Sequence, residues 1–245
     1  LNNGRVECIG AGGDRNLYRL THVLSDKSAE FKMTVRLGQI ESQAKPSDGF
    51  AGFRVGIAGM FNDYRDDAVR GTGLNAGVLS DGRLFIGAPD DASAKVPLDD
   101  VILELAAKPT RDTYQLTLTA RSASAVRPGL KPLGEIQRLN VPADWLTGGV
   151  ALVCSSGRVN PSPVQRSYPT AGNGGTKPGT ARVGNLRFWF RDWILQGPKV
   201  EAHPERAWGP ILWTMYTLGK GVMKLSAQLA PVENFPVAEL LIERQ

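Results

Sequence analysis

Cysteine and histidine, the residues that build many catalytic and metal centres, are scarce in this sequence: two of each among 245 residues. Cys8 and Cys154 are too few for a disulfide scaffold and lack the C-x-x-C spacing of a metal or redox pair. His22 lies in "LTHVL" and His203 precedes Pro204, and neither belongs to an Asp-x-His, Gly-Asp or Gly-Asn-His motif. A two-metal hydrolytic centre needs several histidines and carboxylates converging on ions roughly 3.5–4 Å apart, so none is expected in these residues. Long apolar runs are missing too, which excludes a membrane-spanning helix. The opening "LNNGRVECIG" lacks the charged, apolar and small-residue order of a signal peptide. Because the chain starts at Leu1 rather than Met, it reads as a processed piece of a longer polypeptide whose targeting segment lies elsewhere.

Runs of one charge are also absent. The net charge of +5 comes from scattered arginines rather than from a block of five or six like charges. No nucleic-acid motif accompanies it, so a nucleic-acid partner is not expected. With 42% hydrophobic and 22% charged residues the composition is that of a folded globular protein. Each cysteine sits in an alternating apolar stretch: Val6 shares parity with Cys8, and Val150 and Leu152 with Cys154. Two buried thiols acting as small hydrophobes is the simpler reading. A bridge remains open if the chain is exported.

What the sequence does have is period two nearly everywhere. In "EFKMTVRLGQI", Phe31, Met33, Val35 and Leu37 face one way, and Lys32, Thr34 and Arg36 the other. "TYQLTLTAR" repeats the pattern with Tyr114, Leu116 and Leu118, and "LSDGRLFIG" carries an Asp81-Gly82 turn joining two short apolar runs. Further strands are expected at 5–9, 17–24, 52–59, 101–105, 134–141, 150–155 and 186–195. About ten strands joined by polar turns imply an all-β sandwich or barrel.

Two loops interrupt this rhythm. Residues 156–180 are dense in Pro, Gly, Ser and Asn and longer than most connections in a compact domain. In "MFNDYRDDAVRGTGLNAG", Asp63, Asp66 and Asp67 lie near glycines and could offer oxygen ligands to calcium. The spaced Asp/Asn-Gly-Glu pattern of a dedicated calcium loop is missing, and a solvated acidic turn neutralised by Arg65 and Arg70 is the plainer reading. A boundary is expected near "QGPKVEAHPERAWGPI". It divides a sandwich over 1–197, a linker over 198–210 and a β-meander over 211–245, made of "ILWTMYTL", "VMKLSAQL" and "VAELLIER". Three strands bury too little to stand alone, so the meander must pack on the sandwich or begin a second β module.

Two stretches, "RFWFRDWILQGPKVEAHPERAWGPILWTMYTLGKGVMKLSAQLAPV" and "NDYRDDAVRGTGLNAGVLSDGRLFIG", resemble the N-terminal region of exported bacterial metallophosphoesterases of the alkaline phosphatase D type. The resemblance spans essentially the whole chain. It implies a concanavalin-like (laminin G-like) jelly roll, then a fibronectin-like module, with the phosphatase further along and the whole protein periplasmic or extracellular. The expected partner is then the downstream domain of the same polypeptide.

Other catalytic arrangements find little support. Glycoside cleavage needs two carboxylates facing one sugar bond. Asp100 and Glu104 share a strand face but have Ile102 between them, and read as solvated surface acids. Cys154, Ser155 and Ser156 have no nearby general base and no strand-turn-helix elbow. "IGAGGDRN" is followed by no helix that could receive a phosphate. What remains is the aromatic-basic ridge "RFWFRDW". Plain alternation assigns Leu186, Phe188 and Phe190 to the core and Arg187, Trp189, Arg191 and Trp193 to the opposite face. That second face either stacks on a glycan or is covered by the segment holding Trp208, Trp213 and Tyr216. The expectation is a non-catalytic binding or positioning module, with a lectin-like domain or a carbohydrate-active enzyme on the same fold as alternatives.

Overall fold

The computed structural model describes residues 4–9, 15–40, 49–61, 63–89, 93, 95–124, 131–156, 186–207 and 211–229. The Pro/Gly-rich stretch, most of the glycine-rich "IGAGGDRN" and the third meander segment "VAELLIER" lie outside these residues. The chain forms two compact units, Leu1–His203 and Pro204–Gln245. No helix among the described residues is long and apolar enough to cross a membrane.

The first unit is an all-β sandwich. Its strands are β1 (Val6–Glu7), β2 (Arg15–Leu24), β3 (Phe31–Gln39), β4 (Phe50–Ala58), β5 (Thr72–Leu79), β6 (Leu84–Ile86), β7 (Ala88–Pro89), β8 (Val101–Pro109), β9 (Thr113–Ser122), β10 (Gly134–Pro142), β11 (Gly148–Ser155), β12 (Phe188–Gln196) and β13 (Val200–Ala202). One sheet runs β1-β12-β3-β8-β9-β10 and the other β13-β2-β11-β4-β5-β6-β7, with every pairing antiparallel. The second unit contributes a hairpin of β14 (Ile211–Gly219) and β15 (Val222–Leu229), turned at Lys220 and Gly221, both at positive φ.

Alternation explains the core. Phe31, Met33, Val35 and Leu37 on β3, with Val101, Leu103 and Leu105 on β8, are at most 2% exposed. They face Phe53 and Val55 on β4, Leu74 and Ala76 on β5, and Val150 and Leu152 on β11 within one continuous cluster. Asp81 and Gly82 turn β5 into β6 as the sequence predicts, with the Gly82 amide donating to the Leu79 carbonyl. In β4, β5 and β11 almost every residue is buried, on both faces. Hence these strands read as continuous small and apolar runs rather than as clean alternation. Gly56 is required in β4: at φ +63°, a Cβ there would lie 1.9 Å from the carbonyl oxygen of Trp145, in the 3-10 turn Ala143–Leu146.

Two elements depart from the sequence reading. The acidic stretch expected as a loop contains a short helix, α1 (Tyr64–Arg70), followed directly by β5. Asp63 caps it by accepting the Arg65 amide, Asp66 and Asp67 occupy the first turn, and Arg70 the last, all favourable to the helix dipole. The stretch expected as a linker, 198–210, supplies β13, which pairs with β2 through Val200↔Leu24, Glu201↔Val23 and Ala202↔His22.

Lys199 anchors this last strand. It is 1% exposed, with its ammonium 5.1 Å from the centre of the Tyr114 ring and donating to the Lys27 carbonyl at 2.8 Å. The Tyr114 hydroxyl lies 3.2 Å from the same carbonyl and accepts the Ala29 amide at 3.1 Å. One turn between β2 and β3 is thus tied both to β9 and to the start of β13. We expect Tyr114→Phe to lower the unfolding free energy by about 1 kcal/mol, since it removes the hydroxyl's bonds to the Ala29 amide and to the Lys27 and Ala29 carbonyls, while the Ala29 N–H keeps the Lys27 carbonyl as acceptor. Urea titration of the two proteins measures this, and equal midpoints would show that the turn is held without the hydroxyl.

Candidate functional site

The ridge strand does not keep the single parity that its sequence suggests. The register between β12 and β3 runs regularly from Phe188↔Gln39 to Arg191↔Arg36 and then shifts before Ile194↔Thr34. The cause is a bulge at Asp192, whose φ of +53° places a non-glycine residue in the left-handed region. The bulge consumes one extra residue and reverses the alternation. Trp193 and Leu195 therefore join Phe188 and Phe190 against the core, while Trp189 and Arg191 stay on the outer face of the sheet.

Arg187, Trp189, Arg191 and Trp193 consequently do not share one surface. Arg187 precedes the strand, and its carbonyl accepts the Ile40 amide at 3.0 Å. Trp189 is only 8% exposed. Its indole lies against Gly38, where a Cβ would come within 2.6 Å of the ring, and the Arg5 guanidinium sits 5.5 Å from the ring centre. Arg5 is held there by an ion pair with Glu7 at 2.6 Å. The cover on Trp189 thus comes from β1 and its flank. Arg191 is half-exposed and pairs with Asp192 at 3.1 Å. The segment expected to cover the ridge belongs to the second unit, and its Trp208 and the Trp213 side chain lie outside the described positions.

Trp193 occupies a corner between the sheets. Arg19, from β2 of the opposite sheet, places its guanidinium 5.5 Å from the Trp193 ring centre and donates from Nε to His22 Nδ1 at 3.2 Å. His203 is close by, its amide donating to the Thr21 carbonyl at 2.7 Å. Burial, and then the charges of Arg19 and His203, hold the His22 imidazole below the usual histidine range. Both histidines of the chain thus meet at one edge of the sandwich. Nothing in their sequence spacing announces this, because β13 must first pair with β2.

The acidic stretch is fully engaged. Asp63 accepts the Arg65 amide at 2.9 Å and the Arg65 guanidinium at 2.7 Å, which hold its carboxyl down to about 2. Asp66 accepts the amides of Met60 and Phe61 at 2.8 and 3.1 Å and pairs with Arg70, and Asp67 accepts the Gly59 amide at 2.6 Å. These carboxylates pin the loop to the helix instead of opening toward a common point. Among the described residues no group of three or more His, Cys, Asp or Glu is placed to hold a metal ion. Phe61, Asp63, Arg65, Val69 and Arg70 line a shallow depression of about 430 Å³ on the same helix.

Asp100 and Glu104 are likewise committed on the outer face of the first sheet. Asp100 receives two bonds from Arg36, at 2.6 and 2.5 Å, and Glu104 pairs with Lys32 at 3.4 Å. The sequence reading missed one buried polar pair, Arg54 on β4 donating to Asn75 on β5 at 2.8 Å, each 5% exposed. Its signal was present as single polar residues inside the apolar runs "FAGFRVGIA" and "TGLNAGVL". No protein-family model matches this chain, and no curated protein matches it.

Trp189→Ala should cost about 3–5 kcal/mol of stability, as truncation of a buried aromatic does. A thermal or urea midpoint within error of wild type would show instead that the indole is an exposed platform. Asp66 supplies a pH-dependent test. The Phe61 amide, then Arg70 and the Met60 amide, lower its folded value against the opposing effect of burial. Its contribution is therefore complete above the unfolded value near pH 4 and is lost as pH falls through the lower folded value. Asp66→Asn should be less stable than wild type at pH 7, with a difference that shrinks below about pH 4. A difference constant down to pH 3 would contradict the ionised role.

Proposed function

We propose that the sandwich is a non-catalytic binding and positioning module of a larger exported protein, jelly-roll and concanavalin-like in type, and that the hairpin begins a fibronectin-like β module. The observation that carries this reading is the hairpin itself. Tyr216, Leu218, Met223 and Leu225 share one of its faces through the pairs Tyr216↔Leu225 and Leu218↔Met223, and they are 42–72% exposed. A two-stranded ribbon with such a face needs further strands to be stable. A module that carries the first ribbon of the next is suited to fixing where that next domain stands.

The carboxylates support the non-catalytic part. A general base or nucleophile needs a free lone pair toward substrate, and a general acid a proton to give. Asp63, Asp66, Asp67, Asp100 and Glu104 each instead accept from an amide or face a basic side chain of their own chain. The parent we propose is a metallophosphoesterase of the alkaline phosphatase D type, on the sequence resemblance alone.

The chain should hydrolyse neither p-nitrophenyl phosphate with added divalent metal nor polysaccharides above background, and should bind no glycan on an array. Ending the chain at Ala207 should remove binding of a hydrophobic dye while leaving the sandwich's thermal midpoint unchanged. Turnover abolished by changing His22 or His203 would overturn the reading. Glycan binding lost in Trp193→Ala would move the function to a lectin-like domain.

A further inference from the structure

Cys8 and Cys154 are far apart in sequence and on different sheets, yet their side chains meet. Cys8 directly follows β1, and its amide donates to the Phe188 carbonyl at 2.8 Å. Cys154, on β11, places Sγ 3.6 Å from the Leu186 carbonyl, two residues before β12. Both cysteines thus lie against the same short stretch of chain, Leu186–Phe188, where their side chains interact, and both are free. Arg15 completes the group: its Nη2 lies 3.5 Å from Cys154 Sγ, 3.4 Å from Ser156 Oγ and 2.8 Å from the Leu186 carbonyl. A half-buried cation beside two adjacent thiols is the setting in which one of them becomes a thiolate.

From this juxtaposition we infer that Cys8 and Cys154 form a redox-active pair that closes to an inter-sheet disulfide by exchange with a small disulfide. The inference stands on the side-chain geometry and does not depend on the function proposed above. The bond from the Cys154 thiol, aided by Arg15, lowers Cys8 to about 6, whereas the bond to Cys8 together with burial pushes Cys154 well up. Cys8 is also the accessible thiol, half-buried where Cys154 is 2% exposed, so it is the attacking sulfur and Cys154 the resolving one. The Cys8 thiolate attacks one sulfur of the small disulfide, forms a mixed disulfide and expels one thiolate. That thiolate takes the Cys154 proton. The Cys154 sulfur then attacks Cys8 Sγ and expels the second thiolate, which is protonated from solvent. Two electrons thus pass from the protein pair to the small disulfide, which leaves as two thiols.

The bridge has a structural consequence at β1. This edge strand is only two residues long and, among the described residues, pairs with β12 alone, through Val6↔Phe190 and Glu7↔Trp189. It positions the Arg5 that covers Trp189. A bond from Cys8 to the opposite sheet fastens that strand and closes a loop of roughly 145 residues, large enough to constrain the unfolded chain strongly. With the thiols free, as here, only the pairing with β12 holds the strand over Trp189, and it frays more readily than in the bridged form.

The full chain, equilibrated in graded ratios of reduced to oxidised glutathione, acid-quenched, alkylated and peptide-mapped, tests this. The expected product is a monomer with one cross-linked peptide pair containing Cys8 and Cys154. Its thermal midpoint should lie roughly 5–15 °C above that of the reduced chain, and acrylamide should quench its tryptophan less. In the reduced chain, iodoacetamide should react at Cys8 with a midpoint near pH 6 and only slowly at Cys154. Cys8→Ser should abolish the oxidative shift. If that variant fails to fold, the wild-type peptide map and thermal shift decide alone. Cysteines still fully alkylated at the most oxidising ratio, or found only as glutathione adducts or as links between chains, would overturn the proposal.

Discussion

Two sheets can share a core only while every second side chain of each strand points between them, and the rest of this molecule answers to that constraint. Where the alternation holds, as in β3 and β8, one row enters the core while Lys32, Arg36 and Glu104 remain outside to pair with one another or with Asp100. Where the sandwich needs the opposite parity, the backbone changes instead. The bulge at Asp192 turns Trp193 and Leu195 inward after Trp189 has been turned out, so one strand supplies both an outer indole and an inner one. Each meets its own guanidinium, Arg5 outside and Arg19 between the sheets.

This also explains how far the sequence could be read. The rows Phe31–Leu37 and Tyr114–Leu118 were legible because regular strands repeat with period two, and the Asp81-Gly82 turn because its chemistry is local. The ridge was legible as a strand but not as a surface. Its reversal depends on one residue, Asp192, adopting a conformation that its side chain does not require. The α1 helix was encoded in the Asp63 cap and the Asp66–Arg70 spacing, yet at seven residues it is too short for hydrophobic periodicity to declare it. The meetings of Cys8 with Cys154, and of His22 with His203, exist only after sheet topology has joined distant segments. No spacing rule reaches that far.

Charge follows the same economy. Among the described residues, several of the scattered arginines behind the +5 net charge are employed within the fold: Arg36 holds Asp100, Arg65 holds Asp63, Arg70 holds Asp66, Arg83 holds Asp81 and Arg54 is buried against Asn75. Exposed pairs of this kind add little stability individually. Their effect here is on chemistry, since an acid already paired with a guanidinium is a poor proton donor and a poor metal ligand.

Lys199 carries a consequence for observing the molecule in solution. Its amine, enclosed over the Tyr114 ring and bound to the Lys27 carbonyl, cannot be reached by acylating reagents while β13 remains in the sheet. The exposed Lys27, whose own ammonium is bound to Glu201 on β13, remains accessible to the same reagents. The ratio of acylation at these two lysines therefore reads out the detachment of the last strand. It forms a pair of internal probes, built from natural residues, for the opening of one sandwich edge.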